Sequence, residues 1–146
     1  MLTRVRPLAA AALAAAAVAT AAGPALAKPG GTPAIPLNTG QETTGSNTGA
    51  SGFFSYSISG TQLCSTLEAR NLSGNAGAAH IHKADRHVAG PILVPLMVDS
   101  GTTFTKSACT TASATLLADI ATNPRAYYVN VHTALFPGGE IRGQLK

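Results

Sequence analysis

The alternation of apolar and polar residues is sharpest near the C-terminus. In Tyr127-Tyr128-Val129-Asn130-Val131-His132-Thr133, an extended chain puts Tyr127, Val129 and Val131 on one face and Tyr128, Asn130 and His132 on the other. Pro137-Gly138-Gly139 supplies a turn, after which Ile141, Gly143 and Leu145 alternate with Glu140, Arg142 and Gln144. This predicts two strands with Val129, Val131, Ile141 and Leu145 facing a core. The opposite face is dense in hydrogen-bonding groups. Residues 52–59 alternate Phe54, Tyr56 and Ile58 with serines. Past Gly60, Leu63, Ser65, Leu67 and Ala69 alternate with Cys64, Thr66, Glu68 and Arg70, which predicts a hairpin. Residues 35–42 read as a first strand that Pro36 confines to a sheet edge or a strand start. Residues 43–51 read as a polar turn or loop, Ala78 to His82 as a short strand, Lys83 to Gly90 as a polar loop, and Pro91 to Val98 as a strongly apolar run.

The period changes at Ser113 to Ala121. Leu116, Leu117 and Ile120 have helical spacing, Ser113 can cap the start, and Asn123-Pro124 stops the run. The predicted fold is all-β, an antiparallel Greek-key-like sandwich or barrel with one short helix.

The N-terminal residues read as a targeting segment. Arg4 and Arg6 precede an Ala-rich apolar run, and Ala25-Leu26-Ala27 is a cleavage site of the A-x-A type. The expected division is a signal peptide over 1–27, a flexible lead-in over 28–33 and a single β domain over 34–146. Beyond Ala27 eight basic residues face six acidic ones, scattered and without tryptophan. That excludes a nucleic-acid footprint and an electrostatic membrane anchor, and no membrane span is expected after processing. Cys64 and Cys109 are an even pair in an exported chain, so one disulfide is expected.

His80 and His82 lie two apart on a strand and so point to one face, while His132 shares its face with Asn130 and Tyr128. If the two strands are neighbours, three imidazoles converge. Three histidines with an open position suit copper or zinc. The same three, with Asn130, Arg142 and Gln144 as partners, also suit a metal-free polar network, and isolated surface histidines are a third reading. His87 falls in a loop. No Gly-x-Ser-x-Gly elbow, paired-carboxylate site or Gly-rich phosphate loop is present, so no catalytic residue is assigned.

Five pieces occur together in order: Ala79-His80-Ile81-His82, Gly90-Pro91-Ile92-Leu93-Val94-Pro95-Leu96, Asn123-Pro124, Tyr128-Val129-Asn130-Val131-His132-Thr133, and Gly139-Glu140-Ile141-Arg142-Gly143-Gln144-Leu145. The set resembles the CHRD family, named after chordin, over residues 34–146. The resemblance implies a secreted all-β domain with an extracellular binding or structural role, an unidentified protein or surface partner, and no established catalysis. His-x-His, a later strand histidine and a disulfide are also loosely similar to copper/zinc superoxide dismutase. This chain has Lys83-Ala84-Asp85 where that family carries Phe-Gly-Asp, and the histidine-rich loop is reduced to Asp85 and His87. The alternative expectation is therefore a small copper- or zinc-binding β protein using His80, His82 and His132.

Overall fold

The computed structural model describes residues 34–146, so the targeting segment and the lead-in lie outside the described residues. Eight strands follow in order: β1 Ile35–Asn38, β2 Ser51–Ser59, β3 Gln62–Arg70, β4 Ala76–Lys83, β5 Ile92–Leu96, β6 Phe104–Thr111, β7 Tyr127–Thr133 and β8 Ile141–Gln144. One helix, α1, spans Ala114–Thr122 between β6 and β7. All strand pairs are antiparallel, in the sheet order β5-β4-β7-β8-β1-β2-β3-β6. The sheet curls into a nearly closed barrel. At the seam the Thr110 hydroxyl of β6 donates to the Pro95 carbonyl of β5 at 3.2 Å. Closure shields the unpaired backbone groups of two edge strands, and Pro95, which has no N–H to offer, sits on one of them.

The inward side chains behave as the alternation predicts. Phe54, Leu63, Leu67, Ile81, Val129, Val131, Ile141 and Leu145 are all buried in one core. Ser113 caps α1 by accepting from the Leu116 N–H at 3.2 Å, and the helix buries Leu117 and Ile120 in that core. A disulfide joins Cys64 to Cys109, directly opposite each other on β3 and β6.

Three elements depart from the sequence reading. The first strand is shorter than expected and internal. It ends at Asn38 and gives way to a 3-10 turn, Thr39–Gln41. It ladders with β2 over four residues but meets β8 only at Asn38↔Arg142, so Pro36 at its start costs little pairing. Strand β6 was not foreseen. Its Phe-Thr-Lys-Ser-Ala-Cys-Thr-Thr run buries only Phe104, because it lies at the seam with one face wet.

Strand β7 carries the departure that matters for function. Its residues alternate in chemistry, yet Tyr127 through Val131 and Thr133 are all buried. Tyr128, Asn130 and His132 point away from the core into a second layer. Loops 39–50, 84–91 and 134–140 cover that outer face, and they position the site.

Candidate histidine centre

The pairing of β4 with β7 sets Ala78 opposite His132, His80 opposite Asn130 and His82 opposite Tyr128. The three imidazoles thus meet on the outer face. One ring nitrogen from each lies within 4.8 Å of the others. His87 belongs to the loop after β4, at φ 62°, and is outside this group.

The backbone fixes the tautomers. His82 Nδ1 lies 2.9 Å from the Gly90 carbonyl and His132 Nδ1 lies 2.9 Å from the Pro137 carbonyl. A carbonyl only accepts, so both Nδ1 atoms carry hydrogen and both Nε2 atoms keep a lone pair. His132 Nε2 lies 3.0 Å from His80 Nδ1, which therefore donates to it. His82 Nε2 is buried and has no hydrogen-bond partner.

The electrostatics agree. Burial, then the neighbouring His132 and His82, push the His80 pKa down to about 4. Burial also lowers His82, against the opposing pull of the Gly90 carbonyl and the Asn130 side chain, and lowers His132 against the pull of Pro137. All three rings are neutral at pH 7, the state in which imidazole is a ligand.

The surroundings hold this geometry. His82 stacks on Tyr128 with centroids 4.7 Å apart, and the Arg142 guanidinium lies 3.2 Å from the Tyr128 ring centroid. Arg142 is fully buried. Its Nη1 donates to the Val88 carbonyl at 2.8 Å and its Nη2 to the Asp85 carbonyl at 2.7 Å. Gln144 Nε2 donates to the carbonyls of Ala84 and Arg125, both at 2.8 Å. Arg142 and Gln144 therefore clamp the loop that carries Gly90 and do not hydrogen-bond an imidazole. Asn130 donates to the Gly138 carbonyl at 3.4 Å, and its Oδ1 is buried without a partner. The Gly90 N–H donates to the Tyr128 hydroxyl at 3.2 Å. A Cβ at Gly90 would fall 2.2 Å from the Lys83 carbonyl, so only glycine lets the loop close this tightly.

Sequence reasoning missed two buried carboxylates. Glu140 is fully buried and accepts from Thr48 Oγ1 (2.7 Å), the Ser73 N–H and hydroxyl (2.8 Å each) and Thr133 Oγ1 (2.8 Å). Burial would raise its pKa, but these hydrogen bonds prevail and hold it below the usual carboxylate range. Glu42 packs over Gly139, where φ is 123° and a Cβ would sit 2.2 Å from Glu42 Oε1. Burial raises the Glu42 pKa against the opposing influence of Asn130 and Arg142. The Thr- and Ser-rich stretch 43–51 was the available signal, since hydroxyls crowded near a strand carboxylate are its natural donors.

The fold and the site define a small antiparallel barrel that carries a histidine cluster beneath loops on its outer face. The chain belongs to the CHRD family: the CHRD domain model matches residues 34–145. No curated protein and no solved structure matches the chain at a significant level. Among the described residues, no helix is long and apolar enough to cross a membrane.

Proposed function

We propose that the protein works outside the cytoplasm as a metal-binding CHRD module, holding one copper or zinc ion between His80, His82 and His132. The single observation that carries this reading is His82 Nε2, a buried lone pair with no partner, beside two further neutral imidazoles. An unsatisfied buried acceptor costs about 1–3 kcal/mol, and a cation turns that cost into a bond. Backbone carbonyls on the far nitrogens of His82 and His132 are the support that metal-ligating histidines use to fix ring orientation. An all-imidazole donor set, with neither thiolate nor carboxylate, suits copper and zinc better than magnesium or calcium. Export is supported by the leader over 1–27 and by the Cys64–Cys109 disulfide, which persists in oxidising compartments.

A closed polar network is the competing arrangement. It requires the Asn130 amide to turn and donate to His82 Nε2. Metal analysis and thermal scans of tag-free protein decide between them. The expected result is one copper or zinc per chain and a melting temperature that rises with added metal, by about 2.7 kcal/mol of stabilisation at a hundredfold excess over the dissociation constant. His82→Ala should abolish that rise. Metal-free protein whose stability ignores added copper and zinc would refute the reading and leave the network.

A further inference from the structure

We infer that the ion at this centre keeps one coordination position open to solvent, and that this position takes a small monoanion. The inference rests on the metal reading above. The group brings three ring nitrogens and, among the described residues, no fourth histidine, cysteine or carboxylate. Copper and zinc sites of this kind hold at least four ligands, and three protein donors leave one place for an exogenous one.

The structure shows on which side that place lies. His82 is 5% exposed, sealed by Tyr128 and the Gly90 loop. His80 and His132 are only partly buried, and both line an open cleft of about 460 Å³. Its other walls are mostly small or apolar, including Gly77, Ala78, Ile92, Ala134 and Pro137, whose side chains carry no donor atom, and the exposed Asn75 carboxamide also borders it. Thr133 also borders the cleft, but its hydroxyl is committed to Glu140. Ala78 lies directly across from His132, so nothing bulky stands between the cleft and the ring.

Charge selects the ligand class. Three neutral imidazoles leave a divalent ion's two charges uncompensated. The buried Arg142 guanidinium packs on Tyr128 and faces the opposing Glu42 carboxylate, so the uncompensated charge is the ion's own. Glu140 lies behind Thr133 with its oxygens filled by hydrogen bonds from three residues. An anion in the open position meets the ion's charge at contact distance, where Coulomb attraction is largest. The small, mostly apolar walls favour a compact anion bound end-on over a multidentate one.

Azide is the probe. The protein is loaded with one equivalent of copper(II) and titrated with sodium azide, followed by the azide-to-copper absorption band and the copper paramagnetic resonance spectrum. A saturable new band with a matching spectral shift is expected. Ala134→Phe, on an exposed part of the cleft wall, should bind the same equivalent of copper and weaken azide by about tenfold or more. Ala78→Phe is the second variant and should act the same way. Copper bound one to one, with both spectra unmoved by excess azide, would overturn this inference and leave the metal reading standing. If copper does not bind, this inference falls; if zinc does not bind either, the metal reading falls with it.

Discussion

Replacing Arg142 with methionine should loosen the loop over the histidines before it harms the barrel. The guanidinium makes two hydrogen bonds to loop carbonyls, at 2.8 and 2.7 Å, and covers the Tyr128 ring at 3.2 Å. Each charge-assisted bond contributes about 1.5–3 kcal/mol, and a desolvated cation–π contact about 2 kcal/mol. Against this, the variant no longer buries a guanidinium, whose desolvation costs several kcal/mol. Asp85 and Val88 are exposed, so water can take over their carbonyls. The net loss should be about 2–3 kcal/mol, or roughly 10 °C in melting temperature for a domain of this size. The readout that separates clamp from core is amide exchange. The Val88 and Gly90 N–H groups, which now donate to the Asp85 carbonyl and the Tyr128 hydroxyl, should lose protection while β2 and β3 keep theirs. If the three histidines hold copper or zinc as proposed, that affinity should fall by about 10–100-fold, because Gly90 orients His82. Unchanged exchange at Val88 and Gly90 in a folded variant would refute the clamp, whatever the melting temperature does.

Two other tests address the scaffold. Glu140 has a lowered pKa in the folded state, so its stabilisation is present above the unfolded value of about 4.3 and is lost as pH falls from there through the lower folded-state pKa. Glu140→Gln should cost about 1–3 kcal/mol at pH 7 and flatten the acid limb of a stability–pH profile, and an unaltered limb would show that the hydrogen-bonded carboxylate is not its source. Removing the disulfide as Cys64→Ser/Cys109→Ser opens a loop of sequence separation 45 and should cost about 4 kcal/mol in urea unfolding, with an unchanged midpoint as the contrary result.

Strands that alternate with one face wet or lightly covered were legible, as Phe54/Tyr56 against Ser55/Ser57 shows. The helix was legible because Leu116, Leu117 and Ile120 break the two-residue period and Ser113 stands at the cap. The convergence of His80, His82 and His132 on one face could be reasoned from spacing alone, but their support could not. Gly90, Pro137 and Asp85 act through backbone carbonyls, which carry no side-chain signature. Residues 43–51 read as a polar turn, yet Ser46 is buried, and Gln41 and Glu42, read as the end of the first strand, are buried beyond it. Strand β6 escaped because a polar seam strand resembles a loop in composition.

The interleaving of the two faces on β7 has an evolutionary consequence. Tyr127, Val129 and Val131 answer to the core, while Tyr128, Asn130 and His132 answer to the site. Substitutions at the second set can retune chemistry without repacking the barrel, so function is free to drift among descendants that share one scaffold. Insertion or deletion of a single residue is another matter. It would exchange the two sets at a stroke, driving an imidazole and an amide into the oil and a pair of valines into the cleft. Lineages carrying this domain should therefore vary by replacement along β7 and vary in length only in the loops that flank it.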